Sequence, residues 1–319
     1  MQSLHANSSR CHALVTSRRA ARVRTVRVQA VAATVNNKTV LAPPYNVLIT
    51  GSTKGVGRAL AEDFLEAGDN VVVCARNEDQ VQSVVKELQQ KYGAKRVVGK
   101  ACNVSKAEQV KALAQYAQQQ LGSVDLWINN AGTNAYKYGP LLESDDEDLE
   151  AIVDTNILGV MLCCKEAINL MKKQPAGGHV FNMDGAGADG NATPRFAAYG
   201  ATKRSLQQLG KSLEAELKMA KISNVGVHNL SPGMVTTELL MSGADTPTAK
   251  FFINCLAEEP GDVAAYLVPR IRDVPPKSST LTGGVASTYI QYLTKPKAFS
   301  QIFARLLTGA RKNRFVKED

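Results

Sequence analysis

An α/β fold, a doubly wound parallel sheet with helices on both faces, is predicted by two features of the sequence. Apolar strand-like segments alternate with helix-period segments over most of the chain, and a glycine-rich turn joins the first strand to the first helix. After the Pro43-Pro44 punctuation, Asn46–Thr50 (NVLIT) reads as an apolar strand, followed by a helix from about Val56 to Ala67. Asn70–Ala75 (NVVVCA) is a second buried strand, Arg96–Ala101 a third and Val124–Asn129 a fourth. His179–Met183 is the fifth and Val225–Leu230 (VGVHNL) the sixth. Helix-period segments at Asp79–Tyr92, Lys106–Leu121, Asp146–Lys173 and Tyr199–Ala220 separate them.

The 319 residues allow one such domain, placed at 44–272, with extensions at both ends. No run of about eighteen apolar residues occurs, so no transmembrane helix is expected. The six cysteines are scattered and form no C-x-x-C, the pattern of reduced, mostly buried thiols, and no metal site is expected. The net charge of +9 is unevenly placed. The first acidic residue is Glu62, after Arg10, Arg18, Arg19, Arg22, Arg24, Arg27 and Lys38 with Ser and Ala between them. This composition predicts an organelle transit peptide over 1–35, with a small-residue processing site of plastid type at Val28-Gln29-Ala30. A basic arm that binds nucleic acid is the other reading of such a run. The arm lacks aromatic residues for base stacking, so no nucleic-acid partner is expected.

The turn after the first strand reads Thr50-Gly51-Ser52-Thr53-Lys54-Gly55-Val56-Gly57. Its glycines let the backbone turn tightly and approach a pyrophosphate, which meets free N–H groups at the helix N-terminus. The spacing is G-x-x-x-G-x-G, and here the chain resembles the short-chain dehydrogenases/reductases. The resemblance continues in order through Asn129-Asn130-Ala131-Gly132, Asn156, Tyr199-x-x-x-Lys203 and Pro232-Gly233-Met234-Val235-Thr236-Thr237. It implies a single-domain Rossmann fold. It further implies cofactor contacts from Gly51, Thr53, Lys54, Gly55, Val56 and Gly57, from Asn103 and Val104 near the adenine, and from Asn130, Ala131 and Gly132. Pro232, Gly233, Val235 and Thr237 would lie along the nicotinamide, and Tyr199 and Lys203 at its ribose. Asn103 stands where the family usually has an aspartate. The second strand ends in Cys74-Ala75-Arg76, where an NAD-binding member would usually carry an acid. Arg76 and Lys54 instead place two cations beside a 2′-phosphate, so NADPH is the expected cofactor and NADH the weaker alternative.

Tyr199 and Lys203 are one helical turn apart and share a face. A neighbouring ammonium favours the phenolate and lowers a tyrosine pKa from its usual value of about 10. Tyr199 can then exchange a proton with a carbonyl oxygen. The family implies that Asn156 positions a water chain reaching the lysine. It also implies a serine about thirteen residues before the tyrosine, in an S-x-x-G. Counting back gives Ala186, aligning the glycine on Gly187 gives Asp184, and aligning on Asn182 gives Gly185; none has a hydroxyl. A protonated Asp184 could donate to the oxyanion, the Gly185 N–H could serve instead, or Asp184 could simply cap loop amides.

The Asp184-Gly185-Ala186-Gly187 substitution, with Thr193–Lys203, Asn229–Thr237, Leu239–Ala244, Ala249–Asn254 and Gly309–Arg314, resembles the chlorophyll b reductases of plants and algae over about 44–314. That resemblance implies NADPH-dependent reduction of the 7-formyl group of chlorophyll b, or chlorophyllide b, to hydroxymethyl. It places the protein in the chloroplast stroma and at the stromal face of the thylakoid membrane. A light-harvesting complex and a membrane-bound paralogue are the implied partners, and a homo-oligomer is expected. A substrate lid is expected at about 236–258, where Met234, Leu239, Leu240, Met241, Phe251, Phe252 and Leu256 supply an apolar surface. Core packing of the lid helices is the other account of these residues. Beyond about Asp273 an extension is expected over 273–319, with a linker at Pro275–Ser279, a strand within Ser287–Leu293 and a basic amphipathic helix at Lys297–Ala310. Such a helix either lies in a membrane interface as a peripheral contact or packs on the parent domain. The alternatives to the formyl reductase are a stromal ketoreductase for another apolar carbonyl and a non-catalytic NADPH-binding scaffold.

Overall fold

The computed structural model describes residues 33–35, 38–277 and 285–318. The expected leader at 1–35 lies outside the described residues except for Ala33–Val35. Those residues form β1, which pairs antiparallel with β2 (Lys38–Val40). The main sheet begins with β3 (Asn46–Thr50), followed by α1 (Gly55–Glu66), β4 (Asn70–Ala75), α2 (Glu78–Tyr92), β5 (Val97–Ala101), α3 (Ala107–Leu121) and β6 (Leu126–Asn129). The chain continues through α4 (Asp146–Val153), α5 (Gly159–Met171), β7 (Gly178–Met183), α6 (Ala197–Met219) and β8 (Val225–Ser231). It ends with α7 (Glu238–Met241), α8 (Pro247–Leu256), α9 (Pro260–Arg272), α10 (Val274–Lys277), β9 (Tyr289–Gln291) and α11 (Lys295–Thr308).

Seven parallel strands lie in the order β5-β4-β3-β6-β7-β8-β9. The central strands β3 (NVLIT) and β4 (NVVVCA) are mostly apolar because both faces are covered. On one face, Val47 and Ile49 of β3 and Val71 and Val73 of β4 pack with Phe64, Val81 and Ile271 of α1, α2 and α9. On the other, Leu48 and Val72 pack with Val110, Leu113, Cys163 and Leu206 of α3, α5 and α6. The strand order reverses between β3 and β6, and a crevice opens there at the carboxyl ends of the strands.

Two sequence expectations are revised and a third is met. The helix expected at Asp146–Lys173 is broken by a π-turn at Asp154–Leu158 between α4 and α5. The extra residue in that turn places Asn156 inside the protein, where it is fully buried. Gly159 follows because a Cβ there would lie 2.8 Å from Val104 Cγ2. The first part of the expected linker, Pro275–Lys277, falls in the helical turn Val274–Lys277, while Ser278 and Ser279 lie outside the described residues. The strand expected within Ser287–Leu293 forms as β9 and pairs with β8, so the extension completes the edge of the main sheet. Among the described residues no helix is long and apolar enough to cross a membrane.

Candidate active site

A cleft of about 1310 Å³ lies at the carboxyl ends of β3, β4, β6, β7 and β8. The turn after β3 forms its floor. Gly51 and Gly55 have φ of 66° and 57°, conformations that a side chain disfavours. A Cβ on Gly57 would lie 2.3 Å from Gly51 O and 2.4 Å from Asn130 Nδ2, so only glycine lets α1 approach the turn this closely. Asn130 donates from Nδ2 to Thr50 O (2.9 Å) and Gly51 O (3.0 Å). Thr50 Oγ1 accepts from the Asn130 and Ala131 N–H groups, both at 3.1 Å. The turns after β3 and β6 are thereby joined, and Thr53, Lys54, Gly55 and Val56 face the same cleft as Ala131 and Gly132. No side chain caps the start of α1, so its first N–H groups remain available to an anion.

The two cations expected at a 2′-phosphate behave differently. Arg76 lines the cleft, is exposed and makes no ion pair among the described residues. Lys54 is paired with Glu238 at the start of α7 and lies 5.2 Å from the Tyr136 ring centre. The Glu238 hydrogen bond raises the Lys54 pKa. Arg76 is therefore the free guanidinium, and Lys54 ties the cofactor turn to the lid. Asn103 Oδ1 accepts from Ser105 N (3.1 Å) and Ser105 Oγ (3.0 Å), and both Asn103 and Val104 line the cleft. On the opposite wall stand Pro232, Gly233, Val235 and Thr237, after β8.

Tyr199 and Lys203 reach the cleft from the first turns of α6. Lys203 is 3% exposed; its Nζ donates to Met183 O at 2.9 Å and lies 5.5 Å from the Tyr199 ring centre. Burial pushes the Lys203 pKa down to about 8, and the Asp184 charge opposes that shift. Tyr199 departs from the sequence expectation. Its pKa is raised, first by burial and then by Tyr138 and Asp184, so the enclosed hydroxyl stays protonated. Asn156 does not line the cleft. Its Oδ1 accepts from Thr133 N (2.9 Å), and its Nδ2 donates to Thr133 O (2.8 Å) and Thr202 Oγ1 (3.0 Å). It locks the turn after β6 to α6. A Cβ on Gly132 would lie 3.3 Å from Lys203 Nζ and 3.4 Å from Asn156 Oδ1, so the three residues meet.

The geometry separates the three serine alignments. A Cβ built on Gly185 would stand 2.5 Å from the Tyr199 hydroxyl oxygen. Gly185 is thus the residue aimed at Tyr199, and the hydroxyl fills the space a side chain would take. Asp184 is buried and held from the side of β9 and α6. Its Oδ2 accepts from Tyr289 OH (2.7 Å) and Gln207 Nε2 (3.0 Å), while Oδ1 has no partner. Burial raises its pKa, and these hydrogen bonds with the Lys203 charge oppose the rise.

The short chain dehydrogenase family model matches residues 45–247, which include the cofactor turn, Asn156, Tyr199 and Lys203. The chain belongs to the short chain dehydrogenase family. It is 57% identical over 285 residues to the chloroplastic chlorophyll(ide) b reductase NOL of Oryza sativa subsp. japonica, covering 89% of this chain and 82% of that protein. It is 57% identical over 279 residues to the chlorophyll(ide) b reductase NOL of Arabidopsis thaliana, covering 88% of this chain and 78% of that protein. An alcohol dehydrogenase from the archaeon Thermococcus sibiricus, solved with 5-hydroxy-NADP, shares the fold with a TM-score of 0.63 at 23% identity. That likeness covers 77% of this chain and 94% of the other.

For several residues that shape the site of this short chain dehydrogenase, the sequence alone implies no role there. Tyr138 enters the cleft against Phe196, with ring centres 5.2 Å apart, and donates to Leu239 O at 3.3 Å. A Cβ on Gly243 would lie 2.7 Å from the Tyr138 ring, so the lid glycine seats that ring. Arg195 grips Asp245 of the lid through Nη1 (3.0 Å) and Nη2 (2.6 Å), and donates to Tyr138 O at 3.3 Å. The lid ends are pinned by Thr236 N to Glu258 O (3.0 Å) and Glu258 N to Met234 O (3.1 Å). Met234, Leu239, Leu240 and Phe252 line the cleft, whereas Phe251 and Leu256 are taken up by packing.

The tight Gly185–Tyr199 contact makes a counter-intuitive prediction. Restoring the family hydroxyl with Gly185→Ser should lower kcat by about tenfold or more, because the tyrosine must move to admit a Cβ. Steady-state kinetics alongside nucleotide-binding titrations check this. A rise in kcat would show that the serine position was merely empty.

Proposed function

We propose that this chain reduces the 7-formyl group of chlorophyll b, or of chlorophyllide b, to hydroxymethyl with NADPH, in chlorophyll b degradation and antenna turnover. The observation that carries the reading is the Tyr199 hydroxyl, seated beside Gly185 and facing an apolar-walled cleft, in a chain 57% identical to chlorophyll(ide) b reductases along most of its length.

The residues present fit NADPH. The Gly51–Gly57 cradle and the uncapped start of α1 suit the pyrophosphate, and unpaired Arg76 suits the 2′-phosphate. Asn103 and Val104 would bound the adenine, Tyr199 and Lys203 the nicotinamide ribose, and Pro232, Gly233, Val235 and Thr237 the nicotinamide. When bound, NADPH supplies the hydride. Tyr199 gives its proton to the formyl oxygen, and its raised pKa suits it to act as the acid that reduction requires. The Lys203 ammonium stabilises the phenolate left behind. The Gly185 N–H donates to no group among the described residues and stands at the cleft wall, so it is the second donor for the oxyanion. Asp184 serves as a buried counter-charge to Lys203 rather than as a donor.

The lid supplies a surface for a flat macrocycle, and the relatives are named chloroplastic. The proposed setting is the stroma and the stromal face of the thylakoid, with a light-harvesting complex and a membrane-bound paralogue as partners. Exposed Val153, Leu158 and Met161 around α4 and α5 supply a face for homo-oligomer contact.

Incubation of the protein with NADPH and chlorophyll b tests the assignment. Wild type should form the 7-hydroxymethyl product, and Tyr199→Phe should form none while still binding NADPH. Failure of wild type to form the product overturns the reading. The role given to Asp184 has its own pH signature. Lys203 is cationic below its pKa of about 8, so turnover should fall as pH rises through that value. Asp184→Asn removes the charge that props Lys203 up, so this alkaline limb should move to lower pH by about one unit. A loss of about 10²–10³ in kcat in Asp184→Ala, with Asp184→Asn retaining more activity because its amide still donates, would instead mark Asp184 as the oxyanion donor.

A further inference from the structure

Helix α11 is amphipathic with its faces reversed from those of an ordinary surface helix. It buries Arg305, which pairs with Glu318 and lies 5.6 Å from the Phe251 ring centre on α8. Its outward face carries Phe299, Phe303, Leu306 and Leu307, which are 63–70% exposed. The spacing i, i+4, i+7, i+8 makes them one stripe. A stripe of four large apolar side chains requires a partner more than a scattered leucine does.

Charge identifies the partner. From Val274 to Lys317 the sequence contains no Asp or Glu. Lys295 and Lys312 bracket the stripe in the chain and Lys317 follows in the tail; all three are exposed and make no ion pair among the described residues. A second copy of the chain, related by a two-fold axis, would set these lysines against their own counterparts with no carboxylate from the segment to relieve them. An apolar stripe bordered by lysines matches a bilayer with anionic headgroups.

The stripe is also tied to the cleft. The tail after α11 clasps Asn254 on α8. Asn254 Nδ2 donates to Val316 O (2.6 Å) and Glu318 Oε1 (2.7 Å), and Oδ1 accepts from Phe315 N (2.7 Å) and Val316 N (3.0 Å). Arg311 donates to Ala257 O (2.7 Å) and pairs with Glu258 (2.9 Å), where the lid ends. On α8, Phe252 and Ile253 immediately precede Asn254 and line the cleft. We propose that the outward face of α11 docks on an anionic lipid surface and presents α8 to it, so that an apolar substrate enters the cleft from the lipid. The entry route rests on the formyl reductase reading; the docking does not.

The test uses the full chain, with vesicles of phosphatidylcholine alone or mixed with phosphatidylglycerol, and two variants. Phe303→Ser/Leu307→Ser removes the apolar stripe, and Lys312→Glu/Lys317→Glu reverses the flanking charge without touching the folded interior. Wild type should co-sediment with the anionic vesicles, more weakly as salt rises, and each variant about tenfold less. Both variants should turn over dissolved chlorophyllide b, which lacks the hydrocarbon tail, within about twofold of wild type, yet lose turnover of vesicle-embedded chlorophyll b. Binding to anionic vesicles that both variants retain overturns the docking. No wild-type sedimentation, with a mass increase that Phe303→Ser/Leu307→Ser abolishes, overturns it in favour of a second copy. Equal losses on the dissolved and embedded pigments overturn the entry route. If wild type turns over neither pigment, the reaction assignment fails, and vesicle binding alone still decides the docking.

Discussion

The site depends on enclosing one tyrosine and one lysine where α6 meets the end of β7. Lys203 Nζ is fixed by Met183 O, and the Tyr199 hydroxyl occupies the space left by the missing side chain of Gly185. Burial disfavours both charged forms at once. For Lys203 the pKa falls from 10.5 to about 8, a differential of roughly 3 kcal/mol against the ammonium. For Tyr199 the phenolate is disfavoured, so the pair begins as a neutral phenol beside a marginally held cation. That is the starting state a reductase needs, because the proton must leave the tyrosine as hydride arrives at the carbonyl.

Elements beyond the family-matched residues support this state. Tyr289 of β9, with Gln207 of α6, holds Asp184, and the Asp184 charge opposes the burial of Lys203. The tail after α11 clasps α8 through Asn254 and pairs Arg311 with Glu258, which also closes the lid. The extension is therefore joined to both sides of the cleft, to its charge balance through β9 and to its apolar wall through α8. Lid and core also meet through Arg195–Asp245 and Lys54–Glu238, two partly exposed pairs that position the lid while contributing little to stability.

The sheet was legible because strands rich in β-branched and apolar residues, most clearly β3 and β4, alternate with helix-period segments, and the cofactor turn because glycine spacing records backbone geometry directly. The motif residues fall in or against one cleft, since a motif is a set of chain positions that the sheet brings to one edge. Four kinds of information were not legible. The π-turn at Asp154–Leu158 leaves the apolar period almost unchanged, so the helix looked unbroken. The direction of Asp184 depends on partners from β9 and α6 far along the chain. The sign of the Tyr199 shift depends on how much water the fold excludes, which residue spacing does not encode; an adjacent lysine alone suggested the opposite sign. The orientation of α11 was left open by its pattern, and the buried Arg305 decides which side faces the protein.

The central claim is that Tyr199 is held protonated and serves as an acid. A titration of 13Cζ-labelled tyrosine by NMR in the cofactor-free protein, with the resonance assigned through Tyr199→Phe, reads this directly. The account predicts that Tyr199 keeps its proton past the usual tyrosine pKa of about 10. Ionisation of Tyr199 near neutral pH would contradict it, because Lys203 would then be outweighing burial.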